Sequence, residues 1–295
     1  MVIIVKNILN YYYGIIVSEI FDNGYFSYNN HLFCLYEYKR SIEEAKILFI
    51  LNNYMLGERV HINRIILNNY HDVLTYVDGK YYVLLLINYR YSKGYFNFYL
   101  APSSSEFDIL KRNNWASLWS AKVDYVEYQI KHLDNTFPML FSNVNYYIGL
   151  SENAISYFKM ISLNNENLYI SHRRISKNDL YNPIEIVIDY KVRDIGEYIK
   201  NTFIKKEKTL YEIKKFINNL NLSNIDYLLL YTRLLYPSYY FDMYDKIINN
   251  NLEEEKIKEI TVMSSDYEEL LFEVYLLIKR KLNILGIEWI NNKFM

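Results

Sequence analysis

The spacing of apolar residues changes near residue 90, and this change constrains the fold more than any other feature of the chain. Before it, short β-prone runs at 14–20, 25–28 and 32–38 are separated by turn residues, which predicts a three-stranded meander. The run "VLTYVDGKYYVLLLI" predicts a hairpin, because Asp78-Gly79 is a strong signal for a two-residue turn. The first 90 residues therefore predict five antiparallel strands.

One helix interrupts these strands. In "SIEEAKILFILNNYML", the residues that share one helical face recur at spacings of 4, 3 and 4, namely Glu44, Leu48, Leu51 and Met55. Ser41 and Glu44 have the spacing of a capping box, in which each side chain bonds to the other residue's backbone N–H. The pattern predicts a helix that begins directly after Ser41.

After residue 90 the periodicity is helical. The segment "WASLWSAKVDYVEYQI" places Trp119, Val123 and Val126 on one apolar stripe, and "IGLSENAISYFKMI" forms a second. Four further helices are predicted, at 194–206, 209–220, 224–236 and 265–282. At the start of the last one, Ser265 and Glu268 have the spacing of a capping box.

The order of these elements predicts an α+β chain with the plan of the bilobal protein-kinase-like fold. A small antiparallel five-stranded sheet plus one helix forms a β-rich N-terminal lobe at 1–90, and a mostly helical C-terminal lobe follows at 91–295. The polar, glycine-containing run "NYRYSKGY" places the hinge at about 88–94. A fold does not by itself give a function, so the function depends on individual residues.

Bulk properties exclude several classes of partner. Because 33 basic residues face 34 acidic ones, the net charge of -1 disfavours nucleic acid and anionic membranes as partners. No apolar run is long enough for a membrane span, and the N-terminus has neither the basic leader nor the cleavage site of a signal peptide. The single cysteine, Cys34, excludes an internal disulfide and favours a reducing, cytoplasmic location.

Five segments of the second half carry a resemblance to a known family through their order along the chain: "WASLWSAKVDYVEYQI", "YYIGLSENAISYF", "SHRRIS", "VIDYKVRDIGEYIK" and "GIEWI". In this order, across residues 115–290, the chain resembles the aminoglycoside-phosphotransferase-like kinases. More narrowly, it resembles the spore-coat kinase-like proteins of the CotS and YutH group. The N-terminal lobe agrees with these proteins only in the order of its elements.

The resemblance assigns roles to five positions. Active members of the wider family carry a His-Gly-Asp catalytic loop, an asparagine five positions after that Asp, and a metal-binding aspartate on the next strand. His172 matches the loop histidine and Asp189 the metal aspartate, whereas Asp179 stands at the place of the asparagine. Arg173 replaces the glycine and Arg174 the catalytic aspartate. The resemblance thus implies ATP and Mg²⁺ as cofactors if nucleotide binding is retained.

The substitution at Arg174 removes the proton acceptor of the reaction. A guanidinium cannot be deprotonated in practice, so it cannot act as a general base, and that loss alone costs on the order of 10²–10⁴ in rate. Two further features of the family's nucleotide site are missing from the sequence as well. No G-x-G-x-x-G lies between Gly14 and Gly24, and the strand "LFCLYEYKRS" has no lysine in its middle. Without that lysine, Glu44 has no phosphate-orienting role and is assigned to the capping box.

Asp189 has two possible roles, whereas His172 and Asp194 are each assigned one. Asp189 and Asp179 together supply two hard oxygen ligands for Mg²⁺, or Asp189 is a strand-end aspartate that binds nearby backbone. His172 is assigned as a packed, hydrogen-bonded loop anchor. Asp194 resembles the buried aspartate that fixes the catalytic loop in the family, so it is assigned the same supporting role.

The two arginines also have two readings. Arg173 and Arg174 have the planar donor fork that suits a phosphate. The simpler alternative is that they form ion pairs with acidic residues further along the chain, the candidates being Asp189, Asp194 and Glu197.

The resemblance and the missing groups together predict a catalytically degenerate kinase-like protein that serves as a binding or structural module, with spore coat proteins as candidate partners. The alternative is an active phosphotransferase that uses ATP and Mg²⁺ in a rearranged site, because positioning and electrostatics supply most of the catalysis in phosphoryl transfer. A third reading is a nucleotide sensor that binds ATP without turnover. Two tyrosine-rich segments, 88–99 and 236–244, are candidate partner surfaces.

Overall fold

The computed structural model describes residues 2–21, 24–89, 99–132, 136–163, 167–175, 180–249, 252–282 and 284–295. The chain divides into two compact units. The first contains Met1–Lys111 and Tyr169–Ile188, and the second contains Arg112–Leu168 and Asp189–Met295. Most of the predicted hinge, from residue 90 onward, lies outside the described residues, so the predicted boundary stays a prediction.

The first unit is built on a five-stranded antiparallel sheet. Its strands are β1 (Tyr25–Tyr28), β2 (His31–Tyr38), β3 (Arg64–Ile66), β4 (Thr75–Val77) and β5 (Lys80–Leu86). They have the order β1-β2-β5-β3, and β4 pairs with β5. The predicted hairpin turn is confirmed: Asp78 and Gly79 both have positive φ, at 50° and 80°, as this type of two-residue turn requires.

Two helices belong to the same unit. Helix α2 (Ile42–Gly57) begins with the predicted capping box, since Ser41 accepts from the Glu44 N–H and Glu44 accepts from the Ser41 N–H. Helix α1 (Val2–Tyr13) was not predicted. Gly14 follows its last residue, and its φ of +65° is the left-handed conformation that favours glycine after a helix C-terminus.

The predicted strand at 14–20 is wrong, and the fifth strand of the sheet is β3 instead. Ile15 and Val17 are buried and Ile16 between them is exposed, because Ile15 and Val17 pack in one cluster with Ile8 and Leu9 of α1 and not because the segment pairs with a strand. An extended chain with alternate residues buried has the same period as a strand, so the sequence pattern does not distinguish the two. The number of strands was correct and the membership was not.

A second, smaller sheet completes the strands. It has the order β6-β7-β8, with β6 at Tyr99–Leu100, β7 at Leu168–His172 and β8 at Ile186–Tyr190. A 3₁₀ turn at Ser105–Leu110 follows β6, and another at Pro183–Glu185 comes directly before β8. The last two residues of β8, Asp189 and Tyr190, belong to the second unit.

The second unit is helical. Its helices are α3 (Trp115–His132), α4 (Pro138–Met160), α5 (Val192–Ile204), α6 (Leu210–Asn218), α7 (Asn224–Leu235), α8 (Ser238–Ile248), α9 (Lys258–Thr261), α10 (Ser264–Lys279) and α11 (Glu288–Phe294), with a 3₁₀ turn at Glu254–Ile257. The apolar stripe predicted for α3 is buried at Trp119, Val123 and Val126. The fold class is thus confirmed. No helix in the described part of the chain is both long and apolar enough to cross a membrane.

Two local predictions in this unit are wrong. Glu268 does not cap α10, which begins at Ser264 without a side-chain cap; it accepts instead from the Tyr146 hydroxyl and from Lys293. The tyrosine-rich segment 236–244 is not an exposed surface, because Tyr240 and Tyr244 are 0% and 1% exposed within α8. Because tyrosines occur both in the core and on the surface of this chain, a tyrosine-rich segment does not by itself indicate an exposed surface.

Candidate functional site

His172 lies at the end of β7 and closes the loop that follows it. Its ring Nε2–H donates to the carbonyl oxygen of Leu180 at 3.0 Å, and the side chain is buried. Residues 176–179 between them, including the candidate Asp179, lie outside the described residues. The contact joins the end of β7 to Leu180, whereas the role of loop anchor assigned to His172 stays a prediction.

The two arginines after His172 bond to their immediate surroundings. The backbone N–H of Arg173 donates to the Glu185 carbonyl at 2.8 Å, and its guanidinium is 3.9 Å from the Glu185 carboxylate. Arg174 donates from Nη1 to the carbonyl oxygen of Arg173 at 2.7 Å. Burial lowers the pKa of Arg173 from its ordinary value. Both groups remain donors only, so neither is equipped to take up a proton.

Asp189 lies in the fully buried strand β8, in the second unit, and its carboxylate is enclosed by donors. The indole Nε1–H of Trp115 donates to both oxygens, at 2.9 and 3.0 Å. The backbone N–H of Tyr190 donates to Oδ1 at 2.7 Å, and Arg193 donates to Oδ2 at 2.5 Å. Burial raises the pKa of the Asp189 carboxyl, and the positive charges of Arg193 and Arg233 act in the opposite direction.

This donor set does not fit a magnesium ion. A carboxylate offers about four lone-pair positions, and the four contacts from Trp115, Tyr190 and Arg193 use them. Mg²⁺ needs free oxygen ligands in a nearly octahedral arrangement and usually keeps several waters, whereas Asp189 is 0% exposed. No step through a metal ion follows from this arrangement. Within the described residues, no group of three or more His, Cys, Asp or Glu side chains is arranged to hold a metal.

Asp189 begins a buried array of charges along α5. The guanidinium of Arg233 donates to Glu197 at 2.8 and 3.0 Å, and Lys200 is 2.7 Å from the same carboxylate oxygen. Lys200 also donates to the Ser238 hydroxyl at 2.7 Å. The buried charges of the array balance, with three acidic and three basic side chains: Asp189, Asp194, Glu197, Arg193, Lys200 and Arg233. Buried ions require such pairing, since an unpaired charge is costly in an apolar interior.

Arg233 reaches this array across a glycine. A Cβ atom on Gly196 would lie 2.7 Å from Arg233 Cγ, so only glycine leaves room for that side chain at this point of α5. The guanidinium carbon of Arg233 also lies 5.3 Å from the Trp115 ring centre and 5.8 Å from that of Trp119. Asp194 is buried on the same helix, and the supporting role assigned to it stays a prediction.

In the first unit, Arg40 performs a similar structural task. Its Nη1 donates to the carbonyl oxygens of Ile184 and Ile186 at 2.9 and 2.7 Å, and its Nη2 donates to Glu44 at 2.8 Å. The Arg40 side chain is 6% exposed. Glu44 is therefore occupied by its capping box and by Arg40, and the pair ties the start of α2 to the start of β8.

Sequence reasoning missed the polar roles of Arg40 in the first unit and of Trp115, Arg193 and Arg233 in the second. The spacing of four between Asp189 and Arg193 was not a usable signal, because Asp189 lies in a strand and Arg193 in the first turn of α5, so the two share no helical face. Trp115 was assigned to packing, and nothing in its local pattern indicates a carboxylate 74 residues later.

The comparisons with known proteins agree with this fold. The family model described as "Spore coat putative kinase YutH" matches residues 6–274. A curated relative, "Endospore coat-associated protein YutH" of Bacillus subtilis (strain 168), is 26% identical over 230 residues, which is 66% of this chain and 63% of that protein. The match thus spans just under two thirds of the relative's length.

Solved structures of phosphotransferases have a similar fold. An aminoglycoside phosphotransferase from Alicyclobacillus acidocaldarius has a TM-score of 0.59 at 8% identity, over 90% of this chain and 93% of that one. Spectinomycin phosphotransferase, in complex with ADP and spectinomycin, has a TM-score of 0.58 at 13% identity, over 92% of this chain and 96% of that one. At these identities the likeness shows the kinase-like fold alone.

Proposed function

The chain belongs to the spore coat putative kinase family of YutH, and from this premise we propose that it is a catalytically degenerate kinase-like protein that acts as a binding or structural module in the spore coat. The observation that carries the proposal is the enclosure of Asp189 by Trp115, Tyr190 and Arg193. A metal-binding aspartate must lend lone pairs to the ion, and this one has them all engaged.

Arg193 also supplies the positive charge that a metal ion would otherwise bring. Its guanidinium is 2.5 Å from Asp189 Oδ2, and Arg233 adds a second positive charge nearby. Binding Mg²⁺ there would require Arg193 to leave a fully buried carboxylate and two positive charges to remain close to the ion. Both steps raise the free energy of the metal-bound state.

The contacts of Arg174 and of Glu44, the glutamate of α2, support the same conclusion. Arg174, at the position of the family's catalytic aspartate, donates to the Arg173 carbonyl and has no lone pair for a substrate proton. Glu44 is engaged by Arg40 and by the Ser41 N–H. Among the described residues at positions of the family pattern, both carboxylates, Glu44 and Asp189, are engaged by protein donors that hold the fold together.

The placement in the coat rests on the family and on its relative, which is described as endospore coat-associated. With a net charge of -1, the partners that fit this chain are other proteins and not nucleic acid. A fluorescently tagged chain, expressed in sporulating Bacillus subtilis, is expected to localise to the coat with or without the substitution Arg174→Met. Diffuse fluorescence throughout the cell would contradict a role in the coat.

The catalytic half of the proposal is tested with ATP. The purified chain is incubated with ATP, with and without Mg²⁺, and turnover is compared with that of an active aminoglycoside phosphotransferase in the same assay. We expect no Mg²⁺-dependent turnover and no Mg²⁺-dependent increase in melting temperature with nucleotide. Asp189→Asn, which preserves the size of the side chain, is the matched control. Phosphotransfer by the native chain that disappears in a folded Asp189→Asn variant would show an active kinase instead.

A further inference from the structure

Helix α3 has a second apolar face that the fold leaves exposed. Its buried face carries Trp115, Trp119, Val123 and Val126. On the roughly opposite side lies a row that we call the α3 seam, in which the spacings are 3, 4, 3 and 4: Leu118, Ala121, Tyr125, Tyr128 and His132. All five are exposed, and the three largest, Leu118, Tyr125 and Tyr128, retain 45%, 48% and 63% of their accessible surface.

Alternating spacings of three and four are the pattern by which one helix packs along another. The average period of 3.5 keeps the row facing a partner helix over its whole length. A helix face that only meets water is normally polar, whereas this one holds a leucine, an alanine and two tyrosines over four turns. Tyrosine is also enriched at protein interfaces, because it buries a large ring and keeps a hydrogen-bonding tip.

The side chains of the α3 seam are already held in place. The Tyr125 hydroxyl accepts a hydrogen bond from Gln129 Nε2 at 2.7 Å, and Lys122 Nζ lies 5.0 Å from the Tyr125 ring centre. The His132 ring packs 4.2 Å from the Tyr128 ring, and its Nδ1–H donates to the Tyr128 carbonyl at 2.7 Å. Side chains that are ordered before binding lose less entropy when a partner arrives.

The charges beside the seam indicate which partner fits. Asp124 and Lys131 lie on the same flank, seven residues apart, and both are exposed. Within the described part of the chain, neither forms a salt bridge. On the other flank, Lys122 is already paired with Asp245 at 2.6 Å. At the two positions directly beside the seam, this flank therefore carries one negative and one positive charge and is complementary to itself, whereas the exposed Glu127 on the same side lies further from the seam.

We infer that the α3 seam is the interface of a homodimer in which two copies of α3 pack antiparallel about a two-fold axis near residues 127 and 128. In that arrangement Asp124 of each copy lies opposite Lys131 of the other, so a single symmetric contact makes two ion pairs. In a parallel pair the flanks meet differently, and Asp124 would face the uncharged Gln129. The charge pattern thus selects a second copy of this chain, in antiparallel orientation, as the occupant.

The experiment measures mass against concentration by sedimentation equilibrium. The native chain is expected to approach twice its mass of 35.8 kDa as concentration rises. Asp124→Lys and Lys131→Asp each place two like-charged pairs in the interface, so each is expected to weaken the dimer by about tenfold or more. The combined variant exchanges the charges and is expected to restore the native dissociation constant within a few fold. Far-ultraviolet circular dichroism checks that every variant remains folded.

Tyr128→Glu supplies a test that does not depend on the charged pair. It places a charge in the middle of the α3 seam, at an exposed position that does not support the core, and is expected to give a monomer with an unchanged melting temperature at low concentration. A native chain that remains monomeric at high micromolar concentration overturns the inference and leaves the seam for a helix of another protein. Dimerisation that is unaffected by Asp124→Lys, Lys131→Asp and Tyr128→Glu overturns it as well.

Discussion

The indole N–H of Trp115 donates to both carboxylate oxygens of Asp189, across 74 residues of sequence. The contact joins the first turn of α3 to the end of β8, and it uses acceptor positions that a metal ion would need. Because Asp189 is fully buried, each donor to it also compensates for the loss of water around the charge. Trp115 is therefore a polar partner of the site as well as a core residue.

Trp115→Phe is expected to lower the free energy of unfolding by about 1–3 kcal/mol, because it removes a charge-assisted hydrogen bond and retains most of the ring packing. Urea denaturation followed by circular dichroism measures the change. Trp119→Phe is the matched control: Trp119 also stacks in the core, 4.4 Å from the Tyr236 ring, but makes no such bond within the described residues. An equal or larger loss for Trp119→Phe would show that packing alone explains the effect.

Arg193→Met is expected to destabilise the chain by about 3–5 kcal/mol, because it leaves the buried carboxylate of Asp189 without its ion pair. Adding Asp189→Asn removes the unpaired charge, so the double variant should be more stable than the sum of the two single losses predicts. The free energies of unfolding of the four chains give this coupling. Strictly additive losses would contradict the ion pair.

Gly196→Ala is expected to destabilise the chain even though alanine favours helices over glycine by about 1 kcal/mol. The added methyl group would lie 2.7 Å from Arg233 Cγ, which is held in place by its bonds to Glu197. Gly149→Ala in α4 is the control, since no heavy atom lies within 4 Å of its Cβ position. That variant should gain stability, and a gain for both variants would mean that Arg233 moves aside easily.

Arg40→Met is expected to cost about 3–5 kcal/mol, because the carbonyl groups of Ile184 and Ile186 and the carboxylate of Glu44 all lose a donor. The neighbouring residue provides the control. The Lys39 side chain is 77% exposed and forms a surface ion pair with Glu37 at 3.7 Å. Because such a pair contributes little, Lys39→Met should change the free energy of unfolding by about 0.5 kcal/mol or less. Similar small losses for both variants in thermal unfolding would contradict the structural role of Arg40.

Alkaline pH is expected to unfold the chain sharply. Burial raises the pKa of Tyr13, Tyr147 and Tyr244 to about 12, whereas the pKa of tyrosine in an unfolded chain is about 10. Below pH 10 both states keep the proton and the full stability is present. Above it the unfolded chain ionises first, so each such tyrosine lowers the free energy of unfolding by up to about 1.4 kcal/mol per pH unit until the folded pKa is reached.

Ultraviolet absorbance of tyrosinate and circular dichroism, measured together during the titration, check this prediction. The buried tyrosines Tyr13, Tyr147 and Tyr244 should ionise only together with the loss of helical signal. Complete ionisation near pH 10 in a chain that remains helical would contradict it.

Features with short-range causes were predictable from the sequence. The turn at Asp78-Gly79, the capping box of Ser41 and Glu44, and the buried stripe of α3 depend on residues within a few positions of one another. The order of such elements was sufficient for the fold class, because few arrangements bury these faces. The assignment of Arg174 to the place of the family's catalytic aspartate rests on residue identity alone and stays a prediction.

What the tertiary structure alone decided was which groups meet. The sequence placed Asp189 at the end of a strand, but only the fold brought Trp115 and Arg193 to its oxygens and Arg233 across Gly196. It also showed that β3, and not the segment 14–20, pairs in the five-stranded sheet. The physical reason is that periodicity records which side of an element is buried, whereas hydrogen-bond and ion-pair partners are chosen by contacts between distant segments.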